Sequence, residues 1–202
     1  TAGNRLSAGP TEPDDDAELD TGQAGYAYSA GPLLPAGTQG GRQTMAHGIQ
    51  VGDKAPGFSL PAQSGAPVRL QYRLGERVVV LYFYAKDDTR GCTAEACAFR
   101  DSYEVFTGAG AEVIGVSSDS VGKHAAFAGK HKLPFTLLSD EGGQVRKRYG
   151  VPAVLGLLPG RVTYVIDRRV MVRHVFNSMT NISQHVDDAL EAVRQLQAEQ
   201  RA

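Results

Sequence analysis

The amino-acid sequence predicts an α/β protein, a three-layer sandwich of strands and helices that follows a long, low-complexity N-terminal arm. Its 202 residues suit one ordinary globular domain with an additional segment. Two observations predict the fold: short apolar runs typical of buried strands alternate with helical patterns, and a hairpin and a helix close the chain. A third observation, the glycine- and proline-rich composition of residues 1–50, sets the arm apart.

The arm, residues 1–50, differs from the rest of the chain in composition and in charge. It holds nine glycines and four prolines, and its six acidic and two basic residues give a net charge of −4. Residues 51–202, the predicted folded domain, carry a net charge of +3. Such an arm buries too little apolar surface to offset its ordering entropy. We therefore expect either a solvated leader or a segment docked on a larger protein complex.

The first half of the domain contains two predicted strands and one predicted helix. Residues 51–60 form a lead-in with a turn at Pro56-Gly57, and residues 67–70 form a short edge strand. Residues 77–84, RVVVLYFY, lack polar alternation, which is typical of a central strand buried on both faces. Residues from 93 to about 106 repeat apolar side chains at helical spacing and are followed by glycines.

The second half continues the alternation of strands and helices. The predicted elements are a strand at 112–117, a helix at 120–131 capped by Ser120, a strand at 135–138, a helix at 144–149 stopped by Gly150, paired strands at 162–167 and 170–176, and an amphipathic helix at 182–196. This order predicts the three-layer sandwich. The sequence has no G-x-G-x-x-G motif and no glycine-rich phosphate loop, which argues against a nucleotide site.

Charge, hydropathy and cysteine content exclude several classes of protein. The formal net charge of −1 gives no global reason to bind nucleic acid or a membrane surface. No apolar run approaches the roughly 18 residues of a transmembrane helix. Two cysteines are too few for a disulfide-stapled scaffold, and C-x4-C without a nearby histidine is poor spacing for zinc. We expect neither a metal nor another cofactor.

Cys92 lies just after the predicted central strand and at the start of the predicted helix. A helix N-terminus offers unpaired N–H groups and the positive end of the helix dipole, and both stabilise a thiolate, the nucleophilic form of cysteine. The ordinary alternative is a small buried apolar side chain. The polar and glycine-rich neighbours of Cys92 argue against that alternative.

Cys97 follows five residues later on the same predicted helix. In an intact helix such a pair of Cα atoms lies about 8–9 Å apart, whereas a disulfide needs less than about 7 Å. A Cys92–Cys97 disulfide therefore requires that the first turns of the helix unwind. From the spacing alone, packing of Cys97 against the sheet is the simpler interpretation.

Four segments of the domain carry a specific sequence signature. They read VVVLYFYAKDDTRGCTAEACAFRDSY (78–103), GAEVIGVSSDS (110–120), FAGKHKLPFTLLSDEGGQVRKRYGVP (127–152) and LLPGRVTYVID (157–167). Through these segments residues 51–196 resemble a peroxiredoxin of the Q type, the bacterioferritin comigratory protein group. Within that group the sequence is most similar to plant and algal chloroplast members. The resemblance implies a thioredoxin-like fold and a chloroplast location, with thylakoid association as a further expectation and the bacterial cytoplasm as the alternative.

The resemblance also implies an activity and assigns residues to it. It implies thiol-dependent reduction of hydrogen peroxide and organic hydroperoxides, with Cys92 as the peroxidatic and Cys97 as the resolving cysteine. A thioredoxin-type reductant would regenerate the intramolecular disulfide, and no metal, haem or flavin is implied. Thr89 matches a threonine that hydrogen-bonds at the reacting centre, and Arg161 matches an arginine that supports the thiolate and the peroxide. Without the resemblance, Thr89 is a loop or helix-cap residue and Arg161 a surface charge.

Ala85 and Arg90 stand where the family pattern has proline. Ala85 removes a rigid wall of the pocket, and Arg90 adds a charge that either favours the thiolate or points into solvent. Because the two cysteines, Thr89 and Arg161 are all present, we expect retained activity, weakened or altered in substrate preference. The alternative function is a peroxiredoxin-fold accessory subunit of a larger photosynthetic membrane complex, anchored by the arm, with weak or no peroxidase activity.

Overall fold

The fold is built from nine strands and six helices in the part of the chain that the structure describes. This computed structural model describes residues 48–154 and 158–201, so nearly all of the predicted arm lies outside the described residues. The elements are β1 (Ser59–Pro61), β2 (Pro67–Arg69), α1 (Leu70–Arg73), β3 (Val78–Phe83), α2 (Arg90–Asp101), α3 (Tyr103–Gly108), β4 (Ala111–Ser117), α4 (Val121–His131), β5 (Thr136–Ser139), α5 (Gln144–Tyr149), β6 (Ala153–Val154), β7 (Leu158–Pro159), β8 (Val162–Ile166), β9 (Val172–Asn177) and α6 (Ile182–Glu199).

A mixed five-stranded sheet forms the middle layer, in the order β5-β4-β3-β8-β9. β3 pairs in parallel with β4 and antiparallel with β8, and its last residue, Phe83, lies opposite Val116 on one side and Val162 on the other. All six residues of β3 are buried, as its unbroken apolar run predicts. Two two-stranded sheets, β1-β2 and β6-β7, complete the strand pairing.

Two apolar cores lie on opposite faces of the sheet, because successive side chains of a strand point to opposite sides. One core joins Val80 and Tyr82 of β3 to side chains of α2, α3, α4 and α6. The other joins Val79, Leu81 and Phe83 to side chains of β2, α1 and α5. The predicted three-layer arrangement is therefore confirmed, and Cys92 belongs to the first of the two cores.

The predicted helix from 93 to about 106 is wrong in its bounds. It begins three residues earlier, at Arg90, and it is two helices, α2 and α3, with Ser102 between them at φ −99° and ψ 2°. Apolar periodicity runs through the junction because both helices pack on the same core, so the sequence pattern did not show the break. Each of the other predicted strands and helices agrees with an observed element to within three residues at either end, and α5 agrees at both ends. The short elements β1, α1, β6 and β7 were not predicted.

Two further predictions concern helix ends and membrane spans. Ser120 precedes α4 as predicted, but its side chain makes no capping hydrogen bond. Gly150 does follow α5, in the left-handed conformation at φ +66° that glycine adopts readily. Within residues 48–154 and 158–201, no helix combines the length and the apolar character that a membrane crossing needs.

Candidate active site

Cys92 is the third residue of α2 and is only 2% exposed. The first turn of a helix has backbone N–H groups without helical partners, and these stabilise negative charge on a side chain placed beside them. The loop that leads into α2 follows β3 directly, so the central strand of the sheet sets the position of this turn. The structure therefore places Cys92 in the first turn of α2, as the sequence predicted, but it also buries the side chain in an apolar core, which the polar neighbours in the sequence did not indicate.

Arg161 lies directly before β8, the strand that pairs with β3, and this pairing brings its guanidinium to the start of α2. Its Nη2 donates to the Sγ of Cys92 at 3.5 Å. Its Nη1 donates to the backbone oxygen of Gly91 at 3.2 Å and to Oε2 of Glu95 at 2.9 Å. The arginine is 3% exposed, so its charge acts on these partners with little screening by water.

Glu95 lies one helical turn after Cys92 and is completely buried. Burial raises the pKa of this carboxyl to about 8, because the desolvation of the carboxylate outweighs the attraction of Arg161. The second carboxyl oxygen, Oε1, has no hydrogen-bond partner among the described residues, and Nδ1 of His185 lies 3.7 Å from it. A neutral carboxyl therefore suits this environment at neutral pH.

His185, on α6, is also completely buried behind Glu95. Its Nε2 donates to the backbone oxygen of Ser178 at 2.8 Å, which leaves Nδ1 to accept from the hydroxyl of Thr163 at 2.7 Å. Burial lowers the pKa of the imidazole to about 4, although the Ser178 carbonyl opposes this effect. His185 is therefore neutral at neutral pH and gives Glu95 no hydrogen bond.

Thr89 occupies the residue before α2, in extended conformation at φ −81° and ψ 146°, and its side chain does not cap the helix. Its hydroxyl instead donates to the backbone oxygen of Lys86 at 3.1 Å. Thr89 is exposed, and within the described part of the chain it makes no hydrogen bond to Cys92. The structure thus brings Arg161 to Cys92 but leaves Thr89 at the edge of the site.

Cys97 lies on the same continuous helix as Cys92 and is half-buried. Both cysteines are free thiols. With α2 helical from Arg90 to Asp101, the helical separation of about 8–9 Å between their Cα atoms applies, and it is too long for a disulfide. In this structure α2 is intact and the two cysteines are not joined.

Ala85 and Arg90, the two departures from the family pattern, have different surroundings. Ala85 is half-buried and packs against the core that contains Cys92, so an apolar wall remains at this position. Arg90 is exposed, which is consistent with a side chain that points into solvent.

Sequence reasoning missed three buried charged or titratable residues near Cys92: Glu95, His185 and Arg146. Glu95 carried a signal, since position i+3 on a helix lies on the same face as Cys92. Burial lowers the pKa of Arg146, and the charges of Asp140 and then Cys92 oppose the shift. In the described ranges, no group of three or more His, Cys, Asp or Glu side chains could hold a metal ion.

Comparisons with known proteins agree with this arrangement. The model of the AhpC/TSA family matches residues 51–175. Chloroplastic peroxiredoxin Q of Sedum lineare is 54% identical over 149 residues, which cover 73% of this chain and 80% of that protein. The crystal structure of peroxidoxin BcpB from Mycobacterium tuberculosis matches with a TM-score of 0.69 at 40% identity, covering 73% of this chain and 98% of that chain. A bacterioferritin comigratory protein of Xanthomonas campestris, studied for alkyl peroxide reduction, matches with a TM-score of 0.64 at 29% identity, covering 69% of this chain and 92% of that one.

The comparisons support one of the two functions considered from the sequence. They confirm the resemblance to peroxiredoxin Q, the thioredoxin-like fold and the peroxidase activity, and they give no support to the accessory-subunit alternative. The relatives named as chloroplastic support a chloroplast location over a bacterial cytoplasm. The family model covers well over half of the chain. The chain belongs to the AhpC/TSA family, as a thiol-dependent peroxidase of the peroxiredoxin Q group.

Proposed function

We propose that Cys92 and Cys97 carry the peroxidase cycle of this chain, with Arg161 and Thr89 as the groups that support it. Hydrogen peroxide and organic hydroperoxides are the substrates, and a thioredoxin-type dithiol is the reductant. The observation that carries the proposal is the buried guanidinium of Arg161, 3.5 Å from the buried sulfur of Cys92 at the start of α2.

In the first step, the Cys92 thiolate attacks the terminal oxygen of the hydroperoxide. The S–O bond forms as the O–O bond breaks, and the departing alkoxide or hydroxide takes one proton and leaves as alcohol or water. Cys92 becomes a sulfenic acid. Arg161 and the N-terminal dipole of α2 hold the thiolate before attack, and they stabilise the negative charge that moves onto the peroxide oxygens.

Thr89 is proposed to orient the peroxide. Because its own proton is donated to the Lys86 oxygen, the hydroxyl oxygen of Thr89 has lone pairs that accept the O–H of a hydroperoxide. The first backbone N–H groups of α2 supply donors for the second peroxide oxygen. Such opposed contacts align the O–O bond with the attacking sulfur.

In the second step, the sulfur of Cys97 attacks the sulfenic sulfur of Cys92, and hydroxide leaves and becomes water. This step requires the first turns of α2 to unwind, which breaks the contacts of Arg161 with Gly91 and Glu95. The reductant then restores both thiols by thiol–disulfide exchange and is itself oxidised to a disulfide.

Replacement of the two cysteines one at a time tests the cycle. In an assay with a thioredoxin-regenerating system, Cys92→Ser should reduce peroxide no faster than the assay without protein. Cys97→Ser should consume one equivalent of peroxide and then stop. Arg161→Met should lower the rate about a hundredfold, the usual scale for loss of one charge-stabilising donor, while the exposed Arg90→Met serves as the control. Full turnover by Cys92→Ser would overturn the proposal.

The acidic arm, residues 1–50, is proposed to dock the peroxidase on a larger protein complex at the thylakoid. Its composition supports this, since a net charge of −4 and few apolar residues suit a basic partner surface better than a core of its own. Sedimentation with thylakoid membranes tests it. The full chain should co-sediment at low salt, and a variant with the six acidic residues of the arm changed to Asn or Gln should stay in the supernatant. Equal sedimentation of the two proteins would rule out docking through the acidic residues of the arm.

A further inference from the structure

The loop between β3 and α2, residues 84–89, carries Thr89 and sets the start of the helix that bears Cys92. It has no proline, the residue that would restrict it most, and Asp88 in its middle has a left-handed backbone at φ +59°. The loop is nevertheless tied to the body of the domain by side chains from other elements. These ties lie outside the residues assigned to the peroxidase cycle.

His124 of α4 makes the most informative of these ties. The ring is completely buried, with Nδ1 2.7 Å from Oδ2 of Asp87 and Nε2 3.2 Å from the backbone oxygen of Leu138. The hydroxyl of Tyr84 also lies 3.4 Å from Nδ1. His124 thus links Asp87 of the loop to the backbone of β5 through its two ring nitrogens, so the histidine is fixed by the sheet and the aspartate belongs to the loop.

Tyr84 and Asp119 pair with the remaining hydrogen-bonding groups of Asp87, its second carboxylate oxygen and its backbone N–H. The hydroxyl of Tyr84 donates to Oδ1 of Asp87 at 2.6 Å, and the backbone N–H of Asp87 donates to Oδ2 of Asp119 at 2.8 Å. Burial, together with the charges of Tyr82 and Asp87, raises the pKa of Tyr84 well above its ordinary value, so the hydroxyl remains a donor. The backbone oxygen of Tyr84 accepts from the buried guanidinium of Arg146.

We propose that Tyr84, Asp87 and His124, called here the loop clamp, position the peroxide-binding loop of the enzyme. The clamp does not touch the reacting atoms. It holds the turn from β3 into α2, so that Thr89 and the first N–H groups of α2 face the peroxide at the required distance from Cys92. This inference rests on the site proposed above and adds three positioning residues to it.

A positioning role has a measurable signature that a purely stabilising role lacks. Reaction of Cys92 with peroxide needs the thiolate and also the donors and acceptors that align the O–O bond. Alkylation of Cys92 by iodoacetamide needs only an accessible thiolate. Loss of the clamp should therefore slow the peroxide reaction and leave the alkylation rate at its high-pH plateau nearly unchanged.

Asp87→Asn and His124→Gln test the clamp, with Asp187→Asn and His174→Gln as controls. Asp187 is exposed on α6 and His174 is half-buried on β9, and within the described residues neither side chain is hydrogen-bonded to the loop. Quenched-flow mass spectrometry would follow single-turnover oxidation by hydrogen peroxide, and alkylation would be followed in parallel. We expect both clamp variants to lose about tenfold or more in the peroxide rate constant and less than twofold in plateau alkylation. The peroxide rate constant of the double variant should be no lower than that of the slower single variant, since the two residues act as one unit.

The loop clamp can be contradicted separately from the proposed site. Peroxide rates within twofold of the controls, or equal losses in both reactions, would overturn the clamp. If Asp87→Asn does not fold, Tyr84→Phe removes only one hydroxyl and should still slow the peroxide reaction selectively. The unsubstituted protein and Cys92→Ser are measured alongside: equal slow rates for these two would refute the proposed site itself, whereas a fast unsubstituted protein with unaffected clamp variants refutes only this inference.

Discussion

Arg161 is one cation placed between two acidic groups, and this sharing sets the chemistry of the site at the scale of single residues. Its guanidinium donates to Glu95 through Nη1 and to Cys92 through Nη2. A carboxylate at Glu95 would compete with the thiolate for the one positive charge. Because burial raises the pKa of Glu95 to about 8, the carboxyl is mostly neutral at neutral pH. The positive charge of Arg161 is then left to interact with the sulfur of Cys92.

Gly91→Ala should slow the peroxide reaction without weakening the fold. A Cβ at this position would lie 3.1 Å from Nη2 of Arg161, so the guanidinium must shift by a few tenths of an ångström, which disturbs its contact with Cys92. Alanine in a helix otherwise stabilises by roughly 0.5–1 kcal/mol relative to glycine. We expect a three- to tenfold lower rate constant for peroxide, measured in single turnover, with an equal or higher melting temperature.

The matched control for this substitution is Gly108→Ala. Gly108 also lies in a helix, and a Cβ there would meet no atom within 4 Å. Its peroxide rate should be unchanged. An unchanged rate in Gly91→Ala as well would mean that the position of the guanidinium is not critical.

At the scale of the element, the proposed cycle requires α2 to be stable when reduced and able to open when oxidised. Its first turn is held by Arg161, which directly precedes β8, and the backbone break at Ser102 separates it from α3. Unwinding from the N-terminal end therefore need not disturb α3, whose Phe106 is anchored in the core. The proposed cycle requires local opening of the part of α2 that holds both cysteines.

Hydrogen exchange should detect this opening directly. After one equivalent of peroxide, amides of residues 90–97 should exchange at least about tenfold faster than in the reduced protein, since an unwound segment loses its helical hydrogen bonds. Amides of β3, which are buried in the centre of the sheet, should not change. In Cys97→Ser the increase should be absent, because no disulfide forms. Equal protection before and after oxidation would exclude the unwinding step.

At the scale of the whole molecule, Glu95 and His185 are buried titratable groups in the layer between the sheet and α6, and they affect stability in opposite directions. Glu95 has a folded-state pKa of about 8 against an ordinary value of 4.5, and His185 has about 4 against 6.5. The folded state keeps the Glu95 proton that the unfolded state releases. It also excludes a proton that His185 binds when unfolded. Stability from Glu95 is therefore lost as pH rises, and stability from His185 is lost as pH falls.

These two groups predict the shape of the stability curve. Between pH 4.5 and 6.5 their slopes oppose each other, so the free energy of unfolding should be nearly flat. From pH 6.5 to 8 only Glu95 acts, and we expect a fall of about 2 kcal/mol, at up to 1.36 kcal/mol for each pH unit. Urea denaturation of the reduced protein across this range measures the curve.

Glu95→Gln should remove the fall above pH 6.5, and the exposed Glu104→Gln should keep it. In His185→Gln the slope from Glu95 is no longer cancelled between pH 4.5 and 6.5, so the free energy of unfolding should rise as the pH falls through this range. A curve for Glu95→Gln that still falls by about 2 kcal/mol would show that Glu95 is ionised in the folded state.

The sequence by itself determined the elements whose signal is local. Residues 77–84, which are apolar or aromatic after Arg77, predicted the central buried strand, and residues 144–149 with Gly150 predicted α5 at both ends. Cys92 at the start of a helix was also a local signal, because the end of the strand and the polar loop lie beside it in the sequence. Thr89 and Arg161 came from the family resemblance, and their roles stay predictions until they are tested.

The tertiary structure alone decided which charges face each other and how strongly burial affects them. Arg161 and Cys92 are 69 residues apart in the chain, and the antiparallel pairing of β8 with β3 brings them together. His185, His124 and Asp87 likewise carried no signal in the sequence. The acidity of a carboxyl or an imidazole depends on its desolvation and on neighbours in space, and neither quantity exists until the chain has folded.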